Sequence, residues 1–248
     1  MKHRDKLIDY FSNIDRNSVV SANKLYEEHF ARMTESSFFK AMERLAKDGI
    51  LIRVGKGMYA PGDIGLAEKS VKKGSTAETR AQDVTEETSS PEEALLNYYF
   101  GENNDNGLFV GYRLYNKYAL THVKKDSIEL FSNIVQKESC NHGNIHVRKV
   151  NIELDFENAK VLEALEIMQH YYEIEELNKM KFARYARQFA RGYSDEAAVY
   201  VIEHVKYKKS TIAFMKKILE MYKVKNSLQQ FLSYASTYKV PAVQRVAR

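Results

Sequence analysis

Ser36, Ser37, Lys40, Arg44 and Lys47, with Arg53 and Lys56 close behind, are the residues of this 248-residue chain best suited by type and spacing to do chemistry. That chemistry is recognition. Guanidinium and ammonium groups neutralise phosphates, and short hydroxyls can approach base edges. Ser37, Lys40, Arg44 and Lys47 follow one another at steps of three, four and three, so on a helix they share one face. Phe38, Met42 and Leu45 form the apolar stripe opposite, which needs a core to cover it.

The elements that must position these side chains can be read from the same segment. Thr34 is expected to cap a helix beginning near Glu35, its hydroxyl accepting from free N–H groups of the first turn. Gly49 stands where a left-handed residue ends a helix. Ile50, Leu51 and Ile52 are β-prone, Val54-Gly55-Lys56-Gly57 reads as a tight hairpin with glycines for positive φ, and Met58-Tyr59-Ala60 returns until Pro61. Tyr59 is expected in the core. Leu7, Ile8 and Phe11 mark an earlier helix, and Val19, Val20, Leu25, Tyr26 and Phe30 supply a strand stub and a second helix. Residues 1–62 are therefore expected to fold as a winged helix-turn-helix DNA-binding domain, with the basic helix in the major groove and the hairpin on backbone or minor groove.

Composition bounds the rest. Apolar content of 44% with well-mixed charge describes a globular chain of one to three domains. No apolar run approaches a membrane span and no signal-like start precedes the first helix, so no membrane and a cytoplasmic location are expected. One cysteine, Cys140, leaves no internal disulfide. Net charge is +3 over residues 1–60, −8 over 61–180 and +10 over 181–248, so basic ends flank an acidic middle.

Residues 63–90 are polar and free of aromatics and are expected to be a linker, partly helical. Gly74-Ser75 with Asp83 invites comparison with a nucleotidyltransferase signature, but Thr85 stands where a second magnesium-binding carboxylate is needed, and that chemistry is rejected. Pro91 opens a helix with Leu95, Leu96 and Tyr99 on its buried side, and with it a C-terminal domain over 91–248. Residues 91–155 read as a small α/β unit. It has a short element at Leu108–Val110, a helix over 111–120 and strands over 127–133 and 144–147. Val150, Ile152 and Leu154 alternate beyond a turn or bulge at Arg148-Lys149. Residues 156–248 read as helices throughout, the last around Leu228, Phe231 and Leu232. The helix bearing Phe182, Tyr185, Ala186 and Phe189 carries Lys181, Arg184, Arg187 and Arg191 opposite, a possible auxiliary DNA surface. The fold class is α+β.

The order of these pieces resembles the AbiEi family of type IV antitoxins over roughly residues 5–170. The carrying features are RVGKGMYAP, a linker, and GYRLYNKYALTHV followed by SIELFSN. Members carry Gly-Tyr-x-x-x-Asn-x-x-Gly-Leu-Thr and then a strand ending Thr-Asn. Gly111, Tyr112, Asn116, Leu120 and Thr121 fit, Ser132-Asn133 closes the strand, Ala119 replaces the glycine, and His122 stands where glutamine is common. The resemblance implies a repressor that binds repeats in its own promoter and an antitoxin against a nucleotidyltransferase toxin encoded alongside. It implies no stable complex with that toxin, no cofactor and no catalysis. Monomer and dimer both remain open.

Other chemistry was weighed. Cys140, His142 and His146 form C-x-H-x3-H in a Gly/Asn loop, without an evident fourth ligand, and no metal site is expected. His170 reads as a helix-end histidine. A nucleic-acid-modifying enzyme would need a pocket joining Asp126, Glu129 or Glu153 to His122 or His146. A winged helix that binds only protein would present a neutral recognition face, unlike this one.

Overall fold

In the computed structural model, which describes residues 3–15, 18–62, 90–101 and 103–245, the chain is mixed α/β of the α+β kind with two small sheets. It divides into two units, Met1–Glu102 and Asn103–Arg248.

The first unit runs α1 (His3–Ser12), β1 (Val20–Ser21), α2 (Ala22–Leu25), α3 (Glu35–Lys47), β2 (Leu51–Gly55), β3 (Met58–Pro61) and α4 (Pro91–Phe100). A π-helical turn, Tyr26–Phe30, prolongs α2. The sheet order is β1-β3-β2, all antiparallel. Leu7, Phe11, Leu25, Phe38, Met42, Leu45 and Ile50 are buried in one cluster, so the apolar stripe of α3 meets α1 and α2 as its spacing requires. The expected linker lies, Ser90 apart, outside the described residues, and so do Gly74, Ser75, Asp83 and Thr85.

Helix α4 begins as a full capping box. The Ser90 hydroxyl accepts from Glu93 N, and Ser90 N donates to the Glu93 carboxylate. From its place after a polar stretch, α4 is expected at the head of the second domain. It groups instead with the first unit, packed against β2. Ala94, Leu95 and Tyr99 are buried and Leu96 only half so.

The second unit begins with β4 (Gly107–Val110) and α5 (Gly111–Lys117), then β5 (Ile128–Ser132), β6 (Ser139–His142) and β7 (Ile145–Lys149). The sheet order is β4-β5-β7-β6; β5 and β7 are parallel and the other pairs antiparallel. Strand β6 stands where a Gly/Asn loop is expected. Gly143, at φ 61°, turns it back onto β7. Strand β7 continues through Arg148 and Lys149, where a turn was expected. Val150, Ile152 and Leu154 are buried without a ladder of their own, which accounts for their alternation.

Helices α6 (Phe156–Gln169), α7 (Lys179–Arg191), α8 (Asp195–His204) and α9 (Lys209–Met221) follow. They share one core with Leu108, Val110 and Phe131 of the sheet. Asp155, Asn178 and Ser194 cap α6, α7 and α8 through their side chains. The helix expected around Leu228 is a 3-10 turn, Leu228–Phe231, and residues 232–245 are not helical.

Candidate nucleic-acid interface

Helix α3 ends in a complete Schellman motif. Gly49, at φ 75°, donates from its N–H to Ala46 O at 3.2 Å, and Ile50 N donates to Leu45 O at 3.0 Å. The chain is thereby turned into β2 with Leu45 and Ile50 both buried. Arg4 of α1 holds the same end through an ion pair to Asp48 at 3.1 Å. At the other end Thr34 is the capping residue, but its hydroxyl makes no bond to the helix backbone; it donates to Ser37 Oγ at 2.7 Å. The expected side-chain cap is replaced by this hydroxyl pair.

The hairpin narrows to Lys56-Gly57, with Gly55 opposite Met58. Of its two glycines only Gly57 takes positive φ, 73°, with open space where a Cβ would stand. Gly57 O accepts from Ala22 N at 2.8 Å, which fixes the turn to the start of α2. A bulge lies between Arg53 and Gly55, and Arg53 Nε donates to Gly55 O at 3.4 Å across it.

Ser36, Ser37, Lys40, Arg44, Lys47, Arg53 and Lys56 are all exposed. Tyr59 is buried beside them, opposite Arg53 in the β2–β3 register, as the core reading expected. Burial raises its phenol pKa; the Arg53 charge lowers it and the Glu43 charge raises it, so one residue of α3 and one of β2 both lie within electrostatic reach of its hydroxyl. Arg4, Lys24, Lys117, Lys125, Arg148 and Lys216 each have a carboxylate partner. Among the described residues, none of Lys40, Arg44, Lys47, Arg53 and Lys56 has one. Glu43 is exposed on the same helix, a carboxylate among these cations.

The second basic set lies on α7 in the other unit. Lys181, Arg184 and Arg191 are exposed, Arg187 is half-buried, and Phe182, Tyr185, Ala186 and Phe189 are buried opposite.

The family-pattern residues have internal partners. Gly111 has φ 59°, and a Cβ there would come within 2.9 Å of a Glu129 carboxylate oxygen. Asn116 Nδ2 donates to Val123 O at 3.0 Å. Leu120 is buried, and its carbonyl accepts from Asn178 N at 2.7 Å. Thr121 Oγ1 donates to Glu175 O at 2.7 Å and accepts from Val123 N at 3.1 Å. The Tyr112 hydroxyl lies 3.5 Å from Glu175 N, and Lys125 pairs with the Glu175 carboxylate at 2.8 Å. Lys125, then Tyr112, hold that carboxyl below its usual range. These residues tie the loop after α5 to the segment preceding α7.

Ala119 closes α5 with the same motif that closes α3. Its N–H donates to Asn116 O and Leu120 N to Tyr115 O, both at 2.9 Å, at φ 53°. A Cβ in this region costs about 1 kcal/mol. Ala119→Gly is therefore expected to stabilise the protein by about 1 kcal/mol in urea titration, less the added entropy of a glycine in the unfolded chain. A destabilised variant would show that the left-handed geometry is not held in solution.

The cysteine–histidine cluster separates. Cys140 and His142 stand opposite Val147 and Ile145, whereas His146 stands opposite Asn141 on the other face of the sheet, its Nδ1 2.9 Å from Asn141 Oδ1. Burial lowers the His142 pKa. Glu129 and His146 are register partners across β5–β7, and His122 is exposed. Glu153 lines an open cleft of about 730 Å³ with Asp155, Glu157, Asp195, Glu196 and Glu203, and no histidine lines it. Among the described residues no three His, Cys, Asp or Glu side chains gather to hold a metal ion, and no helix is long and apolar enough to cross a membrane. His170 ends α6, with Nδ1 2.6 Å from Glu173, whose carboxyl it holds below the usual range.

Compared with models of known protein families the chain matches none, and no curated protein matches it.

Proposed function

We propose that the first unit is a winged helix-turn-helix that binds duplex DNA in the cytoplasm, and that the protein represses its own operon without catalysis of its own. The observation that carries this reading is the clustering of five exposed cations, Lys40, Arg44, Lys47, Arg53 and Lys56, on α3 and the hairpin, none of which has a carboxylate partner among the described residues. Exposed cations clustered on a helix and an adjoining turn suit a phosphate backbone. The order helix, strand, helix, helix, hairpin supports the same reading.

The antitoxin role against a nucleotidyltransferase toxin, with no stable complex between them, rests on the resemblance over residues 5–170. It gains support from Ala119, which takes the left-handed conformation that the pattern's glycine would adopt without strain. Two experiments test the proposal. The first measures binding to the duplex upstream of the protein's own coding region across a salt series, wild type against Lys40→Ala/Arg44→Ala. Tight binding that the variant weakens supports the repressor; no preference over random duplex removes it. The second co-expresses the neighbouring toxin and scores growth. Failure to rescue removes the antitoxin half alone.

A further inference from the structure

We infer that Glu43 is the base-reading residue of α3 and accepts a hydrogen bond from a cytosine amino group in the major groove. The inference rests on the DNA-binding reading above. At about 3.6 residues per turn, Ser36, Lys40, Glu43 and Lys47 fall within roughly 60° of one another, opposite the buried Phe38, Met42 and Leu45. They form the outermost line of the helix, and all four are exposed. Glu43 thus stands in the middle of the surface that would enter a groove, not on its flank.

A glutamate four residues before a lysine lies within reach of it on a helix. Here Glu43 has Lys40 three residues before and Lys47 four residues after, yet has no ion-pair partner among the described residues. Its charge acts on the Tyr59 phenol, where α3 meets the hairpin. A free carboxylate between two phosphate-seeking lysines opposes binding unless it finds a donor. The groove edge offers amino donors on cytosine N4 and adenine N6. Adenine couples its donor to an adjacent acceptor that repels a carboxylate, whereas cytosine offers the donor without one on the same base. Glu43 therefore selects for a C·G pair and against other pairs, while Lys40 and Lys47 anchor to phosphates.

The test is selection by the full-length protein from a randomised duplex library, run for wild type, Glu43→Ala and Glu43→Gln, with thermal melting to check that each variant is folded. Wild type should show a cytosine preference at one position. Glu43→Ala should flatten that preference by about tenfold or more and leave other positions unchanged. Glu43→Gln should move it to adenine, which a glutamine amide matches with a donor and an acceptor. Coincident preference profiles for the three proteins, or a uniform loss across all sequences, would overturn the assignment while leaving DNA binding intact. Absence of duplex binding by wild type would instead remove the DNA-binding reading, and the assignment with it.

Discussion

Lys40→Ala/Arg44→Ala/Lys47→Ala is expected to bind the promoter duplex about a thousandfold more weakly than wild type. A hydrogen bond to a charged group contributes about 1.5 kcal/mol, close to one decade in affinity, and three such bonds are removed. The salt dependence carries more information than the loss itself. Each phosphate contact adds about 0.9 to the slope of log K against log salt, so the slope should become shallower by roughly 2.7. Misfolding would weaken binding too, but it would also lower the melting temperature. These three side chains are exposed and have no ion-pair partner among the described residues, so melting should be unchanged. An unchanged slope would sink the assignment of α3 to phosphates. The matching triple on α7, Lys181→Ala/Arg184→Ala/Arg191→Ala, separates the two basic sets: an unchanged slope there assigns the DNA contact to the first unit alone.

What the sequence made legible follows from the range of the forces involved. The stripe Phe38, Met42, Leu45 and the stop at Gly49 are local, and α3 and its closing motif formed as read. The hairpin was legible too, because Gly57 alone can take its φ without strain. The exposure of Ser36, Ser37, Lys40, Arg44 and Lys47 followed from the helical periodicity, and that of Arg53 and Lys56 from their place at and beside the hairpin turn. What was not legible was decided by strand pairing and by the surface that covers each element, neither of which periodicity reports. Strand β6 carries only one buried side chain, His142, and is a strand because β7 pairs with it. The alternation at Val150, Ile152 and Leu154 signalled burial, but no neighbouring strand completes a ladder there. Helix α4 looked like the start of a domain because it follows a polar stretch, whereas its cover is β2. Histidines 142 and 146, four apart in sequence, are sent to opposite faces by the intervening turn at Gly143. Glu43 shows a different limit: a carboxylate amid cations looks like a helix-surface partner until the geometry leaves it without one.

The polar interior of the second unit yields the other large effect. Glu163 and Glu166, one turn apart on α6, are 5% and 2% exposed at the side chain, so each needs a donor. Lys117 pairs with Glu163 at 2.6 Å, and the Tyr118 hydroxyl donates to the same carboxylate. Arg148 pairs with Glu166 at 2.7 Å while its guanidinium lies 4.3 Å from the Phe131 ring centroid, and the Tyr207 hydroxyl donates to the other carboxylate oxygen at 2.9 Å. Arg148→Ala leaves that carboxylate buried with its charge no longer balanced by arginine. Breaking such a pair from one side costs roughly 3–5 kcal/mol, and because Arg148 is itself 42% exposed water can enter, so a loss of about 2–3 kcal/mol is expected. Arg148→Met/Glu166→Leu removes both charges and should recover most of the stability, because replacing a buried pair with apolar side chains is often close to neutral. Urea titrations of Arg148→Met, Glu166→Leu and the double variant close the cycle. A double variant no more stable than Arg148→Ala would mean that the stacking of Arg148 on Phe131 of β5, and not its pairing with Glu166, accounts for the loss.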